Sequence, residues 1–101
     1  DENISYLTGN VTRHSNISGF GRAYISEFKR IVPYYIFDHR GTGKEVDTLA
    51  AKSLHDGSAL GIGRGGLCNF EAYVIRDNKS HVKRIELKNI IPITPDIDDE
   101  Q

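Results

Sequence analysis

Two neighbouring segments of this chain, 18–25 and 33–40, show the two-residue alternation of β-strands. Successive side chains on a strand point to opposite faces, so residues of one parity share a face. In both segments, the residues of one parity carry planar or cationic side chains. They are Phe20, Arg22 and Tyr24 in the first segment and Tyr35, Phe37 and His39 in the second. Such a face is typical of a surface on which unpaired bases stack.

An alternative assignment places these aromatic rings in the core. The opposite parity, which carries Ala23, Ile25, Val32 and Ile36, would then have a minor role. Arg22 shares the parity of the aromatic rings, and a guanidinium is rarely buried without a partner. The exposed face is therefore the favoured interpretation.

The rest of the chain also favours β-structure, because no long segment shows the i, i+3, i+4 apolar repeat of a surface helix. The predicted strands are 6–14, 19–28, 33–39, 67–76 and 81–90. Residues 77–80 form the turn of the closing hairpin. The long connection at 40–66 includes a possible short helix at 45–54. Five strands with this spacing predict an all-β, five-stranded Greek-key barrel of the oligonucleotide-binding (OB) type.

Length and charge predict one domain with distinct ends. The chain has 101 residues, enough for a single modest core. We expect a flexible N-terminal end at 1–5, the barrel at 6–92 and a disordered acidic tail at 93–101. Six of the 14 acidic residues lie at the two ends, so eight acids accompany all 13 basic residues in 3–95. This mildly basic body suits a polyanion ligand, although an ordinary solvated surface has a similar balance.

Cysteine usage and sequons point to different compartments. Cys68 is the only cysteine, which favours a reducing, cytoplasmic setting and excludes an internal disulfide. Four Asn-x-Ser/Thr sequons, at Asn3, Asn10, Asn16 and Asn78, leave a secreted, glycosylated β-domain as the alternative. No charged-then-apolar leader and no apolar run of about 20 residues is present, so no membrane partner is expected.

Two glycine-rich runs and the histidines do not predict a cofactor or metal site. The run at 61–66 fits Gly-x-Gly-x-x-Gly, but a strand rather than a helix is predicted after it. This run is expected to be a flexible loop, or a loop from which Arg64 approaches phosphate. The run at 40–44 lacks the spacing of a phosphate loop, and the histidines lack metal-ligand spacing.

With the strands in order, the chain resembles the cold-shock domain family. Members begin with Thr-Gly-x-Val, continue with Lys-Gly-Phe/Tyr-Gly-Phe-Ile, and carry Val-Phe-Val-His in the third strand. The corresponding runs here are Thr8-Gly9-Asn10-Val11, Ser18-Gly19-Phe20-Gly21-Arg22-Ala23 and Ile36-Phe37-Asp38-His39. The runs Cys68-Asn69-Phe70-Glu71 and Leu87-Lys88-Asn89-Ile90 are similar to the closing strands of the family.

The resemblance implies a non-catalytic barrel that binds single-stranded RNA or DNA by base stacking. Phe20, Phe37 and His39 match family positions, and Tyr24 and Tyr35 join them by strand parity. Phosphate contacts are expected from the basic residues Arg13, Arg22, Arg40, Lys44 and Arg64. No cofactor is implied.

The chain also departs from the family pattern. Ser18 stands where members have lysine, Arg22 where they have phenylalanine, and Asp38 where they have an inward apolar residue. These departures motivate a different hypothesis, in which the barrel is a protein-interaction module within a larger chain and no longer binds nucleic acid.

Overall fold

Five strands and one helix form the part of the chain that the structure describes. The computed structural model describes residues 3–41, 43–60 and 66–93, with only the backbone of 58–60. The elements are β1 (Ser5–His14), β2 (Phe20–Ile25), β3 (Arg30–Ile36), α1 (Lys44–Leu60), β4 (Leu67–Arg76) and β5 (Val82–Pro92). Arg64 and residues 94–101 of the predicted acidic tail lie outside the described residues.

The strands close into a barrel in the order β1-β2-β3-β5-β4. Every pairing is antiparallel except that of β3 with β5, which is parallel and covers Tyr34–Ile36 against Ile85–Leu87. Helix α1 lies in the connection between β3 and β4. The prediction of a five-stranded OB-type barrel with a helix in this connection is confirmed.

The inward face of the barrel is apolar, and α1 adds to the same core. The buried apolar side chains are Leu7, Val11, Ala23, Ile25, Val32, Tyr34, Ile36, Val46, Ala50, Cys68, Phe70, Ala72, Val74, Ile85, Leu87 and Ile90. Burial of each large apolar side chain contributes about 1.5 to 3 kcal/mol. Ala23, Ile25, Val32 and Ile36 belong to this set, so the opposite parity of β2 and β3 forms the outer face. The alternative that placed the rings of Phe20, Tyr24, Tyr35 and Phe37 in the core is wrong.

The turn between β2 and β3 differs from the prediction. β2 ends at Ile25 rather than at residue 28, and 30–32 belong to β3 rather than to a connection. The chain reverses at 26–29, where the amide of Lys29 donates to the carbonyl of Ile25 at 2.8 Å and Lys29 adopts φ 56°. No glycine or asparagine marks this left-handed position, so the sequence gives no signal for the turn.

The end of β3 also differs. The predicted strand continued to residue 39, but β3 ends at Ile36. Asp38 follows with φ 51°, and its carbonyl accepts the amides of Gly41 and Gly43 at 2.9 and 2.8 Å. The turn carries Asp38 out to solvent instead of into the core, which avoids the cost of a buried carboxylate.

Helix α1 is longer than the predicted segment at 45–54. It runs through Gly57, which is buried close to Gly66 at the start of β4. The hydroxyl of buried Ser53 accepts the amide of Val11 at 3.1 Å and donates to the carbonyl of Gly66 at 2.6 Å. These bonds fix α1 against β1 and the start of β4, so tertiary contacts maintain a helix that its glycine and serine content disfavours.

Candidate nucleic-acid interface

An exposed pair of aromatic rings lies on the outer face of β2 and β3. Phe20 and Tyr35 are direct cross-strand partners, with ring centroids 4.7 Å apart and ring planes inclined by 45°. Phe20 is 56% exposed, and Tyr35 is half-buried. We refer to Phe20 and Tyr35 as the aromatic pair. Other side chains of β2 and β3 fill the core. The rings of the aromatic pair are therefore free to offer a stacking surface on the outer face.

Two arginines lie directly opposite each other next to this pair. Arg13 on β1 is the register partner of Arg22 on β2, and both are exposed. Neither guanidinium has an ion-pair partner among the described residues. Like charges at directly opposed positions of a sheet are destabilising, so this arrangement favours a bound anion. Tyr24 lies further along β2, half-buried and opposite Ile31.

Strand β5 extends the same outer face with charged residues that the sequence prediction missed. Glu86 is the register partner of Tyr35. Nη2 of Arg84 lies 3.3 Å from the carboxylate of Glu86. Nζ of Lys88 lies 4.3 Å from the ring centroid of Phe37, which is 45% exposed in the turn after β3. The alternation of β5 placed these residues outward, but the parallel pairing of β3 with β5 was needed to bring them to this face.

A depression of about 480 Å³ adjoins the aromatic pair. The loop between β1 and β2 forms one side of it, and the turn after β3 forms the other. The lining residues are Ile17, Ser18, Phe20, Tyr35, Asp38, His39 and Arg40. We refer to this feature as the loop depression. Its lining mixes aromatic, polar and charged groups, and it is widely open to solvent.

The predicted place of His39 on the exposed strand face is wrong. β3 ends before it, and its imidazole is only 10% exposed. The ring packs on Gly19, where an added Cβ would lie 2.6 Å from Cγ of His39. Gly19 also has φ 76°, so this position requires glycine for both space and conformation. His39 thus forms a wall of the loop depression rather than part of a flat platform.

Behind the depression, Asp47 from the first turn of α1 contacts two imidazoles. Its Oδ1 is 2.5 Å from Nε2 of His14, and its Oδ2 is 3.4 Å from Nε2 of His39. Nδ1 of His14 lies 2.7 Å from the hydroxyl of Tyr34, which also donates to the carbonyl of Arg13 at 3.2 Å. Burial, and secondarily the carboxylate of Asp47, raises the pKa of Tyr34 far above its ordinary value. We refer to Tyr34, His14, Asp47 and His39 as the histidine network.

The remaining predicted contacts are spread along the surface. Arg40 is exposed in the loop depression, and Lys44 is exposed at the first position of α1. The structure therefore brings Phe20, Tyr35, His39 and Arg40 together in one site, with Arg22 beside the aromatic pair on β2. Phe37 lies on the β5 side with Lys88, and Arg64 lies outside the described residues.

The histidine network was missed because its members are far apart in sequence. His14, Tyr34 and Asp47 come from three different elements, and their pairing depends on how α1 packs on the barrel. The only sequence signal is an acidic residue in the first turn of a predicted helix. Among the described residues, no cluster of three or more His, Cys, Asp or Glu side chains has the arrangement of a metal site.

The sequons and the cysteine occupy different environments. Asn3, Asn16 and Asn78 are exposed, whereas Asn10 is 1% exposed and has no room for a glycan in the folded barrel. Cys68 is buried at the start of β4, and burial raises the pKa of its thiol. In the described part of the chain, no helix is long and apolar enough to cross a membrane.

Comparison with protein-family models, curated proteins and solved structures gives no match to this chain.

Proposed function

We propose that this protein is a non-catalytic binder of single-stranded nucleic acid, with RNA favoured over DNA. The observation that carries the proposal is the aromatic pair on the outer face, beside the loop depression and two arginines that have no ion-pair partner in the described part of the chain. Unpaired bases stack on such rings, and each stacked base contributes about 1 to 3 kcal/mol. Planar guanidinium groups can contact phosphate or stack on a neighbouring base.

The opposed arginines support this assignment over an ordinary polar surface. Placing Arg13 directly across from Arg22 costs stability unless an anion screens the two charges. Lys88, over the ring of Phe37, and Arg40, in the loop depression, add further positive charge to this face. A strand of nucleic acid that stacks on Phe20 and Tyr35 would bring its phosphates within reach of these groups.

The proposed scaffold is a divergent cold-shock-like barrel, and the proposed location is the cytoplasm, where RNA is available. The second candidate function is a protein-interaction barrel. Ile17 favours it, because this side chain is 86% exposed at the rim of the loop depression. Secretion with glycosylation at the exposed sequons is the alternative location, and a glycan on Asn16 would crowd the same rim.

A titration with labelled oligonucleotides tests the proposed function. Fluorescence anisotropy would follow 12-residue RNA and DNA of the same mixed sequence, at 50 and 200 mM salt. The test variant is Phe20→Ala with Tyr35→Ala. The matched control is Tyr6→Ala, since Tyr6 is 73% exposed on β1 opposite Glu71 and away from the aromatic pair.

We expect saturable binding by the wild type, tighter for RNA, with a loss of at least tenfold in the double variant and little change in the control. Absence of saturable binding at high micromolar protein, or equal binding by the double variant, would contradict the proposal. Absence of saturable binding would favour the protein-interaction function, whereas equal binding by the double variant would mean that RNA binds elsewhere on the protein.

A further inference from the structure

Asp47 lies behind the proposed binding face and has no ligand contact in the function proposed above. Asp47 lies on α1, and its carboxylate is 18% exposed. It stands between two imidazoles from different parts of the barrel, one 1% exposed and the other 10% exposed. A carboxylate has two oxygens, and here each oxygen faces a different imidazole nitrogen.

The first oxygen leads to the end of β1. Nε2 of His14 contacts this oxygen, and Nδ1 of the same ring contacts the hydroxyl of Tyr34. Tyr34 in turn donates to the carbonyl of Arg13. The helix is therefore linked through side chains to the main chain of the residue whose guanidinium faces Arg22.

The second oxygen leads to the loop depression. His39 is held by Asp47 on one side and by Gly19 on the other. Gly19 belongs to the loop between β1 and β2, and its carbonyl accepts the amide of Ile36 at 3.0 Å. Main-chain bonds fix the turn that carries His39 and Arg40. Asp47 adds a side-chain contact that fixes the imidazole of His39 against this wall of the loop depression.

We propose that Asp47 is a positioning residue for nucleic-acid binding: through its two imidazole contacts it links the end of β1, which carries Arg13, to the His39 wall of the loop depression. This inference rests on the proposed function. Asn in place of Asp47 offers one acceptor oxygen and one amide that donates, so it can no longer accept an N–H from both imidazoles.

Simple electrostatics predicts the opposite effect on binding. Removal of a negative charge close to a polyanion site tightens binding of RNA, because the net field at the site becomes more positive. The positioning role predicts weaker binding, because the arginines and the depression wall lose their relative placement. The direction of the change in RNA affinity therefore distinguishes the positioning role from the electrostatic effect.

The experiment compares Asp47→Asn, Asp47→Glu and the matched control Asp56→Asn by anisotropy with the same 12-residue RNA at 50 mM salt. Asp56 lies on the same helix, where its carboxylate pairs with exposed Lys52. Thermal unfolding of each variant identifies a temperature at which all are folded. If Asp47→Asn is not folded at 10 °C, His14→Gln takes its place, because it removes the first contact at a buried residue that does not line the loop depression.

We expect Asp47→Asn, or His14→Gln, to bind RNA at least fivefold more weakly, Asp47→Glu to recover part of the loss, and Asp56→Asn to bind at least as tightly as the wild type. Unchanged or tighter binding by folded Asp47→Asn or His14→Gln would overturn the positioning role while leaving the proposed function intact. If the wild type binds no RNA, the proposed function fails and the positioning role fails with it.

Discussion

The hydroxyl of Tyr34 lies 2.7 Å from Nδ1 of His14, inside the barrel and directly beneath the proposed binding face. Tyr34 is 1% exposed, and the two rings lie nearly parallel, with an interplanar angle of 19°. This contact joins β3 to the end of β1, and His14 carries it on to helix α1. The stability of the barrel and the shape of its outer face are therefore connected.

Replacing Tyr34 with phenylalanine is expected to destabilise the fold. The change removes the partner of a buried imidazole nitrogen, and an unsatisfied buried polar group costs about 1 to 3 kcal/mol. Urea unfolding monitored by circular dichroism would measure this loss as a lower midpoint with an unchanged slope. Tyr73→Phe is the control, since Tyr73 lies half-buried on the outer side of β4. Equal midpoints for the two variants would show that the Tyr34 hydroxyl contributes nothing.

Tyr34 is also expected to keep its proton to a higher pH than an exposed tyrosine does. Its pKa is raised, first by burial and then by the carboxylate of Asp47, so the folded state keeps its proton more strongly than the unfolded state does. The corresponding stability is fully present below about pH 10 and is lost as pH rises above it. Absorbance near 295 nm would show a late phase in the wild type that Tyr34→Phe lacks. Identical titration curves for the two proteins in the native state, apart from amplitude, would refute this expectation.

Gly21 on β2 is expected to tolerate no side chain. A Cβ there would lie 2.4 Å from the Tyr34 hydroxyl and 2.2 Å from the carbonyl of Arg13, which is main chain and cannot move alone. Gly21→Ala should cost about 2 kcal/mol or more, in line with strain from overpacking. At Gly41, by contrast, an added Cβ would meet only the carboxylate end of exposed Asp38. Gly41→Ala should therefore be much milder, and a similar loss in both variants would contradict the close packing around Tyr34.

Arg22 is expected to favour binding at the expense of stability. Arg22→Ala removes one member of the opposed arginine pair. The free energy of unfolding should therefore stay the same or rise by up to about 0.5 kcal/mol. The same variant should bind RNA more weakly, and the slope of log affinity against log salt should fall by roughly one unit. Lys79→Ala, in the exposed turn between β4 and β5, should change neither the stability nor the RNA affinity and its salt dependence. A destabilised Arg22→Ala with an unchanged salt slope would show that Arg22 has a structural role only.

The strand pattern and much of the outer face were predictable from the sequence, because alternation depends on local geometry. The parity of Phe20 and Arg22 on β2 was enough to place both outward. The position of His39 was not predictable, because a left-handed Asp38 ends the strand pattern without a glycine to mark it. The contact of His14 with Asp47 depends on how α1 packs against the barrel. The length of α1 was underestimated because Gly57 is a weak helix former. Long-range packing of this kind leaves no periodic signal.

The most direct test of the binding face is a ¹H–¹⁵N correlation spectrum of the labelled protein, recorded as unlabelled single-stranded RNA of eight residues is added. The proposed function predicts that the largest shift changes occur at the amides of Phe20, Arg22 and Tyr35 and of the turn at 37–41. The amides around Tyr6 and the turn at 77–80 should stay unchanged. Shifts that are absent, or that are confined to the β1–β4 side around Tyr6, would contradict nucleic-acid binding at this face.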